Sequence, residues 1–497
     1  MLGIEELRQV VSIGIDLTTE KDRNKLLEKM LVKAMDISEC DAGTLYLYRN
    51  NCLEFKIMKT LSMGVSQGEH GEKINLPPVP LKEESVCAYT AIHRELVNIE
   101  DVYTSDRFDF SGPRKYDSIT GYRTGSMLVI PMEDAEDSLV GVLQLINKLN
   151  KDGNFIPFTS DDEFAIRSLG SMTAVSLSGM IYLDEVKDQM HSFVSAFATA
   201  VDARTPYNGS HTRKVTLYAG ILADYMNKLH AEGKCDEYFD DNRREQLTLA
   251  AELHDIGKMI VPLEVMNKAT RLDKELENVQ ERFELLKVLY ERDMLKGSMT
   301  AEKEAETEKY LDESLAFILE VNGAGFLPDE KIERVKEIAS HKYIYEDGRE
   351  LPYLTDHEEE CLSIRKGTLT DEERRIMESH VVMTEKILDQ VHFNSHYSNI
   401  KKFAATHHEC LNGTGYPNHL TAKELETESR ILAVVDVYDA LTCTDRPYKK
   451  PIPKPKAFGI LHSMAGEGKL EDQLVTWLEE ALKDITPEEI ENRARTM

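Results

Sequence analysis

Residues His407 to Pro417 combine two adjacent histidines with a glycine-containing turn, His-His-Glu-Cys-Leu-Asn-Gly-Thr-Gly-Tyr-Pro. The histidines end a stretch of helical character, and neighbouring residues on a helix point about 100° apart. His407 and His408 therefore do not suit equivalent positions around one metal ion, but each can hold one of two ions lying side by side. An isolated histidine pair at a helix end is more often an ordinary feature, so the rest of the chain decides between these interpretations.

Imidazole and carboxylate side chains recur in helical surroundings throughout the second half of the chain. They are His211, His254, Asp255, His380, His407, His408 and Asp436, and Lys258 follows the His-Asp pair. This mixture of nitrogen and oxygen donors suits iron, manganese, nickel or zinc and does not suit calcium. Seven ligands are too many for one tetrahedral zinc. They fit two octahedral ions that share a bridging hydroxide and a bridging carboxylate, for which Asp255 is the natural candidate.

The composition limits the kinds of partner that the protein can have. The chain has 497 residues, of which 41% are hydrophobic and 30% are charged, as in a soluble protein of several domains. Its net charge of −29 disfavours binding to nucleic-acid polymers and anionic membranes. A small phosphate substrate would therefore need a local concentration of positive charge, which metal ions provide.

No feature of the sequence predicts export or membrane insertion. We expect no membrane span, because no run of about 18 apolar residues is present. The N-terminus has neither a basic region nor a long apolar region, so no secretory signal is predicted. The seven cysteines show no Cys-x-x-Cys spacing, which argues against a zinc ribbon and a disulfide framework. We therefore expect a cytoplasmic protein.

The first half of the chain alternates helical and strand patterns. Apolar spacing and turn residues predict helices over 1–36 and 86–93 and strands over 42–47, 53–58, 126–131 and 138–146. Asn50-Asn51 forms the turn between the first two strands, and residues 133–137 form an acidic hairpin between the last two. This order predicts an α/β sandwich with an antiparallel sheet.

Residues 5–180 resemble a GAF domain, a family of small-molecule sensors. Asn147-Lys148, Phe158 and Asp162-Glu163 match the signature of GAF domains in cyclic-nucleotide phosphodiesterases and adenylyl cyclases. The resemblance implies a GAF sensor domain over 1–180 that binds a small molecule such as a cyclic nucleotide. We interpret Lys148 and Asp162 as a structural clasp, because a carboxylate at a helix start also complements the helix dipole.

Residues 160–205 predict a long linker helix. The segment has no proline before residue 206, few glycines and a recurring apolar seam, and as one helix it would be about 65 Å long. A long apolar seam with few caps is typical of a parallel coil. We therefore expect a homodimer through this helix, with packing of the seam on its own two domains as the alternative.

His-Asp-Ile-Gly-Lys at 254–258 and the segment 407–417 together resemble the HD-GYP family, a subgroup of the HD superfamily of metal-dependent phosphohydrolases. Further matches lie at 208–213, 430–440 and 446–449. The resemblance covers 185–271 and 369–465. It implies an all-α HD-type domain over 185–465, interrupted by a helical insertion at 272–368 and followed by a helical tail over 466–497.

The resemblance assigns roles to individual residues. It places the seven histidines and aspartates given above at metal-ligand positions, makes Asp255 and Lys258 catalytic, and makes Lys258, Arg446 and Lys449 contacts for the substrate. Tyr207 stands where family members with three metals carry glutamate, so we predict two divalent ions, iron or manganese, with nickel or zinc as alternatives. Gly415, Tyr416 and Pro417 are expected to shape the loop, since glycine allows unusual backbone angles and proline fixes one.

The same resemblance implies an enzyme that hydrolyses cyclic di-GMP to pGpG, with GMP as a further product, under control of the GAF ligand. Two alternatives stay open: a phosphodiesterase for 3′,3′-cGAMP, and a cyclic-dinucleotide receptor without activity. The complete ligand set argues against the receptor. The insertion could be a lid or a dimer surface, and its histidines, His341 and His357, are not expected to be ligands.

Overall fold

The structure is a computed structural model that describes residues 4–68, 73–204, 210–443 and 451–496. The chain divides into two compact units, Met1–Gln189 and Met190–Met497. The first unit combines helices with a sheet, and the second is almost entirely helical.

The first unit contains five helices and eight strands among its described residues. The helices are α1 (Ile4–Thr19), α2 (Arg23–Ser38), α3 (Val86–His93), α4 (Ser111–Thr120) and the start of α5 (Ser160–Asp202). The strands are β1 (Cys40–Arg49), β2 (Cys52–Thr60), β3 (Val65–Gln67), β4 (Val79–Pro80), β5 (Val97–Ile99), β6 (Met127–Glu133), β7 (Leu139–Leu149) and β8 (Phe155–Ile156). The predicted N-terminal helix over 1–36 is wrong in one respect: it is two helices, because Asp22 caps α2 by accepting hydrogen bonds from the backbone of Asn24 and Lys25.

The sheet has the order β3-β2-β1-β7-β6-β5, with β4 paired to β2 and β8 paired to β7. All of these pairs are antiparallel, which confirms the predicted sandwich. Asn50 and Asn51 adopt positive φ angles of 47° and 62° in the β1–β2 turn. Asparagine tolerates this region better than most residues, so the turn falls where the sequence predicts it.

Each face of the sheet has its own hydrophobic core. On β6, Leu128 and Ile130 pack with α1, α2 and α5, whereas Met127 and Val129 pack on the face that carries α3. The alternation follows from the period of two in a strand, which sends successive side chains to opposite faces.

Helix α5 is one continuous helix of 43 residues, as predicted. Its first half buries Ile166, Leu169 and Leu177 in the first unit, while another face leaves apolar side chains exposed: Val175, Tyr182, Leu183, Val186, Phe193 and Phe197. Within the described residues, α5 is the one helix long and apolar enough to cross a membrane by length and composition. The core helices of soluble proteins pass the same test, so this property alone is weak grounds for a membrane span.

The second unit continues α5 and adds thirteen helices, a short 3₁₀ helix and one hairpin within the described residues. They are α6 (His211–Ala231), α7 (Asp241–Leu253), the 3₁₀ helix Ile256–Met259, α8 (Leu263–Met266), α9 (Glu275–Leu295), α10 (Ala301–Asn322), α11 (Asp329–Ala339), β9 (Lys342–Ile344), β10 (Glu350–Pro352), α12 (Asp356–Leu362), α13 (Asp371–Leu388), α14 (Ile400–Ala405), α15 (Thr427–Thr442), α16 (Lys454–Gly466), α17 (Asp472–Ala481) and α18 (Pro487–Thr496).

One core joins most of the second unit. Helices α6, α7, α14, α15, α16 and α17 contribute most of its buried apolar residues, and Ile490 of α18 belongs to it as well. Segments that are far apart in sequence, such as α6 and α15, are therefore held together by burial of apolar surface.

Residues 272–362 form a second core of their own, built from α9 to α12 and the β9–β10 hairpin. Arg271 lies at its base with 0% exposure and donates hydrogen bonds to the carbonyls of Val321, Ala324 and Ile364. A buried guanidinium needs such acceptors to offset its lost hydration. The insertion is thus a packed helical body with a polar anchor.

Candidate metal centre

Seven side chains from five parts of the second unit converge on one buried point. His211 begins α6, His254 and Asp255 follow α7, His380 lies in α13, His407 and His408 follow α14, and Asp436 lies in α15. The five parts are held by the common core, so residues up to 225 positions apart in the chain become neighbours.

Asp255 is the shared neighbour of four of the histidines. Its Oδ2 lies 3.4 Å from Nε2 of His211 and 3.2 Å from Nε2 of His254. Its Oδ1 lies 3.4 Å from Nε2 of His380 and 3.9 Å from Nε2 of His407. Because its two oxygens face different histidine pairs, Asp255 has the geometry of a carboxylate that bridges two candidate metal positions.

Asp436 completes the arrangement on one side. Its Oδ1 lies 3.4 Å from Nε2 of His211 and 3.9 Å from Nε2 of His254, and its Oδ2 lies 3.8 Å from Nδ1 of His408.

Two groups with no shared member each place their ligand atoms within 4.8 Å of one another. One is His211, His254 and Asp436, and the other is His380, His407 and His408. This pattern can hold two adjacent cations.

Three of the histidines are oriented by the backbone. The Nδ1 atoms of His254, His380 and His407 each donate to the carbonyl of the residue three positions earlier, at 2.6 Å. Their Nε2 atoms point into the centre, are buried and have no hydrogen-bond partner in the described part of the chain. Buried polar atoms rarely lack partners, and an imidazole held at one nitrogen with the other free is how proteins present metal ligands. The residues therefore fit a metal centre.

The electrostatics of the centre also fit cation binding. Burial lowers the pKa of His380 and His407 below the ordinary range and lowers the pKa of His408 to about 4. For Asp255, burial acts to raise the pKa, but the basic side chains around it, His254 first and then Lys258, hold it well below its usual value. For His211, burial acts to lower the pKa, but the carboxylates of Asp255, Asp436 and Asp439 raise it well above the ordinary range, so a cation at this position would replace a proton. Neutral imidazoles and an ionised carboxylate are the forms that bind metal.

A further residue, Asp439, was not predicted from the sequence. Its Oδ2 lies 2.7 Å from Nδ1 of His211, and the side chain is only 1% exposed. Asp439 follows Asp436 by three residues in α15, so the two carboxylates lie on one side of that helix. This spacing is the signal in the sequence that could have revealed it.

Close backbone packing holds two of the ligand segments together. The backbone N–H of Gly257 donates to Oγ1 of Thr384 at 3.0 Å, and that hydroxyl donates to the carbonyl of His254 at 2.9 Å. A Cβ at Gly257 would overlap the carbonyl oxygen of His380. The 3₁₀ helix that follows Asp255 therefore touches α13, which carries His380.

The 407–417 segment is ordered by a buried glutamate. The Glu409 carboxylate accepts hydrogen bonds from the backbone of Asn418 at 2.7 Å and Leu420 at 3.0 Å. A Cβ at Gly415 would overlap the backbone of Cys410. The ring of Tyr416 packs on His408 with centroids 4.8 Å apart, so this loop contacts the candidate centre directly.

The remaining predicted residues differ in where they lie. Lys258 Nζ contacts the carboxylate of Asp255, and its side chain is 18% exposed. Arg446, Lys449 and Tyr207 lie outside the described residues. His341 and His357 lie in the insertion: the first contacts the carbonyl of residue 337 in the preceding helix α11, and the second contacts the thiol at residue 361.

In the first unit, Lys148 Nζ lies 2.7 Å from Oδ1 of Asp162 and also donates to the carbonyl of Ser38 at 3.1 Å. On the opposite face of the sheet lies a cavity of about 400 Å³, within the usual size range of small-molecule sites. Its lining is mainly apolar and aromatic and includes Tyr46 and Phe110.

The family comparisons agree with these two units. Residues 22–177 match the family model for the GAF domain, and residues 208–342 and 358–474 match two family models for the HD domain. The chain contains a GAF domain followed by HD-domain sequence. The two HD matches supply different ligands to one centre, since His211, His254 and Asp255 lie in the first and the other four lie in the second.

Similar proteins are known from several organisms. The chain is 35% identical over 97 residues to "3'3'-cGAMP-specific phosphodiesterase 3" of Vibrio cholerae, a match that covers 20% of each protein. It is 37% identical over 105 residues to "Cyclic di-GMP phosphodiesterase" of Thermotoga maritima, covering 21% of this chain and 28% of that protein. The matches thus span less than a third of these relatives.

A solved GAF domain/HD domain protein from Geobacter sulfurreducens is 16% identical, covers 33% of this chain and 98% of its own, and has a TM-score of 0.25.

Proposed function

We propose that this protein is a metal-dependent phosphodiesterase that hydrolyses cyclic di-GMP to pGpG, with GMP as a further product. The observation that carries the proposal is that the buried Nε2 atoms of His254, His380 and His407 surround the ionised Asp255 and have no hydrogen-bond partner among the described residues. The activities named for the two relatives above are of this kind, which adds support.

Two divalent ions, iron or manganese, with nickel or zinc as alternatives, fit the centre. His211, His254 and Asp436 would hold one ion, His380, His407 and His408 would hold the other, and Asp255 would touch both. When bound, such ions polarise a phosphodiester and make a water molecule nucleophilic near neutral pH.

The protein's own groups then have separate tasks. Hydrolysis adds one water across a P–O3′ bond, so the phosphorus gains an oxygen and the 3′ oxygen leaves with a proton. Lys258 would donate to a phosphoryl oxygen as negative charge builds there, since its ammonium already lies against Asp255. Arg446 and Lys449 are proposed to contact the substrate.

The direct test is the double variant His254→Ala/Asp255→Ala. We expect loss of bound metal, measured by mass spectrometry of the metal content, together with loss of pGpG release, measured by chromatography. His341→Ala, at an exposed histidine of the insertion, is the matched control and should keep both. A double variant with full activity would refute the assignment.

A second candidate substrate is 3′,3′-cGAMP, which the named activity of the Vibrio cholerae relative favours. Metal ions contact the phosphates and not the bases, so the ligand set does not separate the two substrates. Comparing kcat/KM on both dinucleotides decides between them. Binding of either one without any hydrolysis by the metal-loaded protein would support the receptor alternative instead.

We also propose that a small molecule bound in the GAF domain, such as a cyclic nucleotide, regulates the centre through α5. The C-terminal end of α5 supports this idea. Asp202 accepts a hydrogen bond from Thr212 at 2.8 Å, next to His211. Arg204 donates to the carbonyl of Lys258 at 2.9 Å and to that of Val261 at 3.3 Å.

The variant Arg204→Met tests this connection. It removes the donors that tie the end of α5 to residues 258–261, so we expect faster amide hydrogen exchange there, measured by mass spectrometry, and an altered kcat with unchanged metal content. Unchanged exchange and unchanged kcat would contradict the coupling.

The exposed apolar face of α5 supports a homodimer through this helix. Tyr182 and Phe193 are each 67% exposed, and exposed aromatic residues on a long helix favour association. The variant Tyr182→Glu/Phe193→Glu should shift the mass measured by light scattering from dimer to monomer. A monomeric wild-type protein would refute this interface.

A further inference from the structure

The four histidines whose Nε2 atoms face Asp255 are not held in the same way. His254, His380 and His407 each use a backbone carbonyl three residues earlier as the acceptor for Nδ1. Such carbonyls lie within or at the end of a helix, where one lone pair or the whole group is still free. These three orientations therefore depend on the backbone and need no further side chain.

His211 is held differently, and it is the first residue of α6. At this position α6 has no earlier turn of its own that could offer a carbonyl to Nδ1. The Nε2 of His211 faces Asp255 and Asp436, and the acceptor for Nδ1 comes from another helix.

Asp439 supplies that acceptor. Its Oδ2 lies 2.7 Å from Nδ1 of His211, within the range of a charge-assisted hydrogen bond. The two residues are 5% and 1% exposed, so water does not compete for the contact. Asp436 lies one turn earlier in α15. This helix therefore places one carboxylate beside Nε2 of His211 and another beside Nδ1.

The other oxygen of the Asp439 carboxylate, Oδ1, is buried and has no hydrogen-bond partner in the described ranges of the chain. A buried carboxylate is costly unless it is paired. The contact with His211 is thus the interaction that accounts for an acid at this position.

We propose that Asp439 is a positioning residue for the metal position formed by His211, His254 and Asp436. Its carboxylate fixes the His211 ring so that Nδ1 carries the proton and the Nε2 lone pair faces the cation. The other position, formed by His380, His407 and His408, does not depend on it. The inference rests on the proposed function, because it requires the centre to bind metal.

The test compares metal binding in the full-length protein and in three variants. Asp439→Ala removes the acceptor. Asp439→Asn keeps the shape and an acceptor oxygen but removes the charge. Glu428→Gln is the control, since Glu428 is also a buried carboxylate of α15 but accepts from Arg243 and not from a histidine.

The readouts are the number and affinity of bound manganese(II) ions by titration calorimetry and the melting temperature of the metal-free protein. For Asp439→Ala we expect one of two ions to bind about 10- to 100-fold more weakly, the usual effect of losing a partner behind a ligand, while the second ion is unaffected. Asp439→Asn should fall between Ala and wild type, and Glu428→Gln should bind as wild type does.

The outcomes separate the two proposals. Wild-type affinity for both ions in Asp439→Ala would overturn the role of Asp439 and leave the proposed function standing. Equal weakening in Asp439→Ala and Glu428→Gln would also overturn it, because it would indicate a general loss of packing. If Asp439→Ala does not fold, Asp439→Asn decides in its place: weaker binding of one ion would support the role of Asp439, and wild-type affinity for both ions would overturn it. A wild-type protein that binds no divalent ion would overturn the proposed function and this inference together.

Discussion

The substitution Gly257→Ala tests whether the close contact between the 3₁₀ helix and α13 sets the geometry of the centre. An ideal Cβ at Gly257 would overlap the carbonyl oxygen of His380 and lie 2.5 Å from the backbone nitrogen of Thr384. Both neighbours are backbone atoms, so no side-chain rotation can relieve the contact. The two segments must move apart, and they carry Asp255 and His380.

The size of the movement follows from these contacts. Restoring the 2.5 Å contact to an ordinary separation of about 3.5 Å needs about 1 Å of backbone displacement, and the contact with the His380 carbonyl, which is closer still, needs more. Metal-ligand distances tolerate about 0.2 Å, so His380 and Asp255 would no longer serve the same ion. We expect at least about a 100-fold loss of kcat, the effect of a 1 Å misplacement, and a loss of stability of about 1–3 kcal/mol from overpacking.

The assay combines pGpG release, metal content and urea unfolding of the purified variant. Gly459→Ala is the matched control, because Gly459 lies in α16 and a Cβ there meets nothing within 4 Å. Alanine in place of glycine inside a helix should stabilise the control by about 0.5–1 kcal/mol.

If Gly257→Ala keeps both ions and a rate within a few-fold of wild type, the contact does not control the geometry of the centre.

Three other predictions follow from single contacts. Lys258→Met should lower kcat by about 100-fold or more with both ions retained, since one donor to the developing charge is lost; a loss of metal instead would show that Lys258 supports the ligands. Lys148→Met should destabilise the GAF domain to urea by about 3–5 kcal/mol, because it leaves the buried Asp162 carboxylate without its cation; a change below about 1 kcal/mol, the usual worth of an exposed pair, would contradict the buried clasp. Burial raises the pKa of the Cys87 thiol to about 12, so at about pH 8 it stays protonated and unreactive, and iodoacetamide should modify the half-exposed Cys52 first, as mass spectrometry of the native protein can show.

Local sequence patterns predict much of the first unit. The strands around 42–47 and 53–58 and the helix at 86–93 were predictable because their apolar spacing and turn residues act within a few positions. The break between α1 and α2 was not predicted. There, the capping by Asp22 competes with an apolar pattern that runs on through Leu26 and Leu27.

The ligand types of the candidate centre were also visible in the sequence. Imidazole and carboxylate preferences belong to the side chains themselves, and motifs such as His254-Asp255 keep two donors adjacent whatever the rest of the fold does.

The sequence by itself therefore determined which groups are available for chemistry and the order in which the chain supplies them. Only the tertiary structure decided that the two oxygens of Asp255 face different histidine pairs, and that Asp439 contacts His211, 228 residues away in the chain. It also decided that residue 257 must lack a side chain. The reason is physical: a donor's chemistry is a property of one residue, whereas its partner is set by which helices the common core brings together.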